Sequence, residues 1–327
     1  MLVTPKETPT NGLRRAFSIA LSLGITAAFG FIAYYYIDWN AFISACARVS
    51  LTQLVLLFML GLVTVFLRVM RLCVAIGQPL QWIYYRAVTF QGAAVATLPA
   101  KIGEAVLPMA LMRQAGYSLP HAVGILLLLR LYDLLILLVF GAASLALLAP
   151  EFGMTGWRPL VLAGGGGAIL VMVLFPQLAI LVSWLFHKYL GSGGRLVGLI
   201  DQLSFTARDL PARRLTGLIL LSGLIWASLF VVFYLTGKII GATPGATSSV
   251  LAGVAASMAF ALPLNGVANV GPFEAAWASV MIPLGVPPEA AIAAAILSHF
   301  ILIFCNLALA ALGVLQWGAS GASNKLI

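Results

Sequence analysis

The stretch Leu98-Pro99-Ala100-Lys101-Ile102-Gly103-Glu104 decides how this chain is read. It lies inside a long apolar region, yet it brings together a proline, a glycine and two opposite charges. Proline removes a backbone donor and clashes with the preceding turn, and glycine is a poor helix former, so a helix breaks here. A basic or acidic residue costs about 2.5–3.5 kcal/mol at mid-bilayer on insertion scales. A related stretch returns as Leu262-Pro263 followed by Gly271-Pro272-Phe273-Glu274. The reading is of two broken-helix tips facing each other across a site inside a membrane.

Composition sets the class. Of 327 residues, 62% are hydrophobic and 8% charged, with a mean hydropathy of +1.07, whereas a soluble domain has about 25% charged residues. Several apolar runs are long enough to cross a bilayer as helices, and the alternating segments of a transmembrane barrel are absent. The net charge of +9 raises nucleic-acid binding, but the basic residues fall at span ends, as the positive-inside rule requires. No nucleic-acid partner is expected. Cys46, Cys73 and Cys305 have no metal-ligand spacing and read as small apolar residues within spans. Without a metal-spaced cluster, a nucleophile motif or paired aspartates, the chain is not expected to be an enzyme or to hold a metal or cofactor.

The expected fold is all-α and polytopic, with six full spans and two re-entrant helical hairpins, eight hydrophobic units in all. Residues 1–14 and 318–327 are cytoplasmic tails and 15–317 form one transmembrane domain. Spans cover about 15–37, 51–75, 119–149, 159–187, 215–240 and 288–317. A signal peptide is the alternative for the first, but its apolar run is too long for an h-region and ends in an aromatic cluster. The pieces at about 87–97 and 104–115, and at 247–262 and 271–284, are each shorter than the ~20 residues a crossing needs. Each couple makes a hairpin; one kinked span over 87–115 is the alternative. The loop 188–214 is cytoplasmic, and Arg195–Asp209 within it is suited to an amphipathic surface helix. Gly164–Gly167 reads as a close-packing or flexible site, since no Lys-Ser/Thr pair follows it. With the N-terminus inside, 13 of the 18 basic residues lie on the inner side, Arg68 and Arg71 among them. Three (Arg48, Arg158, Lys238) lie outside, and Lys101 and Arg130 stay in the membrane.

The chain carries an internal repeat, about 51–149 and 215–317. With Glu104 set on Glu274, Gly116 falls near Gly285, and Arg130 and His299 each lie 14 residues past their glycine. Span two and span five run in opposite directions, so the halves have inverted topology, a transporter architecture with its site at the midplane. The second arm of each hairpin starts at the tip, where a helix N-terminus offers free N–H groups to an anion. The candidate substrate-binding residues are Lys101, Gly103, Glu104, Arg130, Asp133, Gly271, Glu274 and His299. Plainer readings stand beside them: dipole complements and caps for the glutamates, snorkelling for Lys101, a structural ion pair for Arg130 and Asp133, a satisfied interior histidine for His299. His121 reads as an interfacial cap.

Leu98–Glu104, then Gly116-Tyr117-Ser118, then Leu129-Arg130-Leu131-Tyr132-Asp133, resemble the membrane domain of the lysylphosphatidylglycerol synthase/flippase family. Gly271-x-x-Glu274 and Gly285-Val286-Pro287-Pro288-Glu289 are similar too, so the resemblance covers about 15–315. It implies a flippase-like protein of the bacterial inner membrane, with both termini cytoplasmic, that moves a lipid headgroup between leaflets. By motif position it implies roles for Lys101, Gly103, Glu104, Arg130, Asp133 and Glu274. Lys101, Leu107, Leu129 and Phe273 stand where the family often has charged residues or arginine, which puts the usual phospholipid in doubt. The aminoacyl-transferase domain is missing, so lipid synthesis is not expected. Five charges counting +2 and −3 do not decide the headgroup's sign. A secondary transporter of a small soluble anion and a non-transporting scaffold remain as alternatives, and a homo-oligomer is left open.

Overall fold

The computed structural model describes residues 20, 23–31, 34–35, 38–98, 102–190, 195–208, 210–261 and 270–323. About half of the expected first span, Lys101 and the Leu262-Pro263 pair lie outside the described residues, as do the tails except for the end of the last helix. Every regular element among the described residues is helical. In chain order these are α1 (Trp39–Cys46), α2 (Leu51–Ile76), α3 (Trp82–Thr97), α4 (Val106–Ala115), α5 (Leu119–Leu148), α6 (Arg158–Leu190), α7 (Arg195–Arg208), α8 (Ala212–Ile240), α9 (Ala246–Ala261), α10 (Pro272–Met281) and α11 (Pro288–Ser323).

Five of them (α2, α5, α6, α8 and α11) are long and apolar enough to cross a membrane, and they fall on the five later spans read from the sequence. At 1.5 Å per residue even the 26-residue α2 reaches about 39 Å, more than the ~30 Å of a hydrocarbon core. Local chemistry sets their ends. Ser50 and Gln53 form a reciprocal capping box at the start of α2, which satisfies donors that hydrocarbon would leave bare. Pro120 occupies the first turn of α5, where its missing N–H costs nothing. Phe300, Phe304 and Leu312 on α11, with Leu160, Leu162 and Leu170 on α6, are exposed. Apolar faces of this extent suit lipid, not water, and the chain is a multi-pass membrane protein.

The short helices come in matching lengths. α3 and α9 each have 16 residues, and α4 and α10 each have 10. The helices before them end at Gly77 and Gly241, and the pieces after them turn at Gly116 and Gly285, all with positive φ. Among the described residues between α3 and α4 is a 3-10 turn, Ile102–Ala105. Gly103 is buried there, and a Cβ added to it would strike the backbone of Ala94 and Val95 in α3. The turn can lie on α3 only because this residue has no side chain.

α2 packs along α8, α3 against α11, and α9 against α5. Two large apolar cores and a small one (Leu57, Val232, Ile301 and Cys305) result. One gathers Leu72, Leu111, Leu128 and Tyr132 among others from α2, α4 and α5. The other gathers Phe233, Trp277, Met281 and Ala291 from α8, α10 and α11. Phe140 and Trp226 pack against both cores.

Three expectations change. The amphipathic segment does form α7, but it packs on α5 and α6, with Ser204 donating to the Ala179 carbonyl at 2.6 Å. It is docked on the bundle through buried hydroxyls and Val197. Of the four glycines at 164–167, only Gly165 approaches a neighbour, with a Cβ position 2.9 Å from Ala142. The other three face open space, so close helix packing does not explain the run. His121 stacks between Tyr117 and Phe205, and the α5 N-terminus has no side-chain cap.

Gly103→Ala is expected to destabilise the protein by about 1–3 kcal/mol, because the clash is with backbone, which cannot repack as a side chain would. Thermal unfolding in detergent measures it. Gly164→Ala, where a Cβ meets nothing, is the control and should melt no lower than wild type.

Candidate functional site

Arg130 and Asp133 lie three residues apart on α5, on one face. Glu104 comes to them from the 3-10 turn. Arg130 Nη2 donates to the two Glu104 oxygens at 2.5 and 2.6 Å and Nε donates to Oε2 at 3.2 Å. Gln91 of α3 donates to the same carboxylate at 3.0 Å. The Arg130 guanidinium also reaches Asp133 at 3.5 Å.

Asp133 is the centre. Arg71 of α2 grips it with both terminal nitrogens, at 2.5 and 3.2 Å, and also donates to Ser222 of α8 at 3.1 Å. Trp226, one turn along α8, donates its indole N–H to the aspartate at 3.0 Å. Arg71 and Asp133 side chains are 6% and 11% exposed, Arg130 47%. The arginine pair thus has one member locked inside and one that opens outward. Arg68, one turn before Arg71, lies within electrostatic reach of Asp133, Arg130 and Glu104 and makes no hydrogen bond or ion pair with any described residue.

A second centre forms in the other half. Glu274 sits in the first turn of α10, where its Oε2 accepts the Gly271 N–H at 2.7 Å and its Oε1 meets His299 Nδ1 at 2.8 Å. The cap reading for Glu274 is therefore right, and the other oxygen is also engaged. Arg130 lies 11 residues into α5 and His299 11 residues into α11, about 17 Å along each helix. The sequence alignment of Glu104 with Glu274 and of Arg130 with His299 becomes two contacts in space.

Other expectations are corrected. Arg68 and Arg71, expected near the inner end of span two, lie on α2, and Arg71 is buried in an ion pair with Asp133 of α5 rather than turned to the surface. The candidate site residues that are described fall into two centres, with no hydrogen bond between them among the described residues. Sequence reasoning missed Arg71, Arg68, Gln91, Ser222 and Trp226. Two arginines three apart inside an apolar helix were the available signal, since an intramembrane charge is a functional candidate by default. Ser222 and Trp226 gave none.

With this geometry in view, one comparison is decisive. Residues 19–310 match the family described as the lysylphosphatidylglycerol synthase TM region. The chain belongs to this family. No curated protein and no solved structure matches. Membership accords with a lipid-related membrane role.

Asp133→Asn is expected to cost about 3–5 kcal/mol, because it leaves Arg71 charged, buried and unpaired. Replacing both partners, Arg71→Met with Asp133→Leu, should cost less than the single change. Denaturation in detergent compares the two.

Proposed function

We propose that this protein moves the polar, anionic headgroup of a membrane lipid between leaflets. The headgroup passes through a site near the membrane midplane, between two inverted repeats that each contain a re-entrant hairpin. The observation that carries the reading is the charge of the first centre. Three guanidinium groups (Arg68, Arg71, Arg130) face two carboxylates (Glu104, Asp133). One positive charge is left over, and Arg130 is half exposed. Guanidinium forks suit phosphate oxygens.

The repeat is supported by the equal helix lengths and by the contacts. Exchanging α2 with α8, α3 with α9, α4 with α10 and α5 with α11 maps each contact among these helices onto another. A 10- to 16-residue helix cannot cross alone, which favours the hairpins. The inner-side excess of basic residues supports a bacterial plasma membrane protein with cytoplasmic termini.

Family membership favours a lipid over a soluble anion, and so does a cleft of about 370 Å³ between α5, α6 and α9. It is lined by Leu137, Gly141, Gly164, Val254 and Met258. Leu137 and Gly141 follow Asp133 at four and eight residues, so the cleft continues along the same side of α5. A headgroup held at Arg130 would leave its acyl chain there.

The test is leaflet exchange of labelled lipids in proteoliposomes. Wild type is expected to exceed empty vesicles. Arg130→Gln should slow exchange about 10–100-fold, as loss of a charged hydrogen bond of about 1.5–3 kcal/mol implies. Gly164→Leu, which fills the cleft, should slow long-chain lipids more than short-chain ones. Uptake of a soluble phosphate with no lipid exchange would select the anion transporter instead.

A further inference from the structure

The two centres differ in one chemical respect. Glu104 is held by Arg130, whose guanidinium keeps its charge at all accessible pH. Glu274 is held by His299, the side chain whose charge changes near neutral pH. A fixed cation and a switchable one stand at equivalent depths on α5 and α11.

His299 and Glu274 are 4% and 1% exposed. The imidazole uses Nδ1 on Glu274; its Nε2 is buried and has no hydrogen-bond partner. We propose that Glu274 and His299 form a proton-binding site, and that the proton bound there couples to transport. In one state the imidazole is neutral, donates Nδ1–H to the carboxylate, and the site carries the charge of Glu274. The proton adds to the Nε2 lone pair. The product is an imidazolium beside the carboxylate, with no net charge and one unpartnered N–H.

Each state has one unfavourable feature. The unprotonated one buries a net negative charge, eased by the Gly271 N–H and the α10 N-terminus. The protonated one buries a donor without an acceptor. Neither state removes both, so the site is built to pass between them.

Nothing else ionisable touches the pair among the described residues. The rings of Phe273 (α10) and Phe260 (α9) face the imidazole, and α9 carries no ionisable residue. On the other elements packed around it, Cys305 of α11 turns to the Phe58 carbonyl of α2. Arg68 and Arg71 of α2 face Asp133, Lys238 of α8 lies over Tyr234, Arg86 of α3 lies beside Gly313, and Glu289 is ten residues earlier on α11. α1 offers only Cys46, which packs against the second apolar core.

The proton site stands on this geometry alone; its coupling rests on the transport reading above. The experiment has two arms. Imidazole nitrogen NMR on histidine-labelled protein follows three histidines, with His299→Asn assigning the signal. The His299 signal is expected to pass from the neutral to the charged form as pH is lowered, and Glu274→Gln to displace that transition. A His299 that keeps one form throughout in both proteins overturns the proposal. In proteoliposomes, a gradient of one pH unit should bias lipid movement by up to about tenfold, and His299→Arg, a copy of the first half, should abolish that response. If His299→Arg does not fold, His299→Asn serves. Exchange indifferent to the gradient in wild type overturns the coupling. If no lipid moves, the transport reading fails, while the NMR arm still decides the proton site.

Discussion

Asp133 holds the first half of this protein together. A carboxylate inside an apolar bundle is tolerable only when its charge is matched and its lone pairs are used. Asp133 meets both conditions by drawing on three helices: Arg71 from α2, Trp226 from α8 and Arg130 from its own α5. Arg71 is tied in turn to Ser222, and Arg130 to Glu104. The 3-10 turn is thereby anchored from both sides, by Glu104 on Arg130 and by Gly103 on the α3 backbone. Ion pairs of this kind contribute little net stability compared with apolar packing. What they specify is the relative placement of α2, α5 and α8, and the position of the tip against them.

The second half solves the same packing problem with fewer charges. Its glutamate is held by one histidine and one backbone N–H. The space around it is filled by rings, Phe233 against Phe273 and Trp277. These rings continue toward the first centre. Trp226, the indole bonded to Asp133, contacts Phe230, then Phe233, then Phe273, which lies 4.9 Å from His299. The three α8 members recur at four and three residues, along one side of that helix. The centres are therefore joined by contiguous packed side chains, the kind of path through which a change at one can bias the other.

The sequence made the helical class legible, with five spans placed within a few residues, because long apolar runs admit few alternatives. It also made Glu104, Arg130, Glu274 and His299 legible, because the two glycines at 116 and 285 kept the halves in register. Other features were hidden for physical reasons. Arg71 lies five residues before the end of α2, where snorkelling is the ordinary expectation; only the fold brings Asp133 to it. Ser222 and Trp226 are unremarkable in an apolar helix until an acid from another helix reaches them. The role of the glycine run at 164–167 was hidden too, since a missing side chain can bring a neighbour close or leave space.

That last distinction bears on the proposed transport. α6 and α7 stand outside the exchanged set of helices and pack on α5, whereas α11 is met at its side by the short α1. The flanks of the two halves are therefore unequal. On the α5 side the glycines leave a cleft open between α5, α6 and α9, beginning one helical turn from Asp133. An ion needs only the polar centre. A lipid needs a polar centre and an apolar path continuous with it, and the path runs along α5, the helix that carries Arg130, with Val254 and Met258 of α9 facing it. The second centre has no surplus positive charge and holds the titratable pair. The architecture thus separates the group that would bind the cargo from the group whose charge can change, and links them through α8.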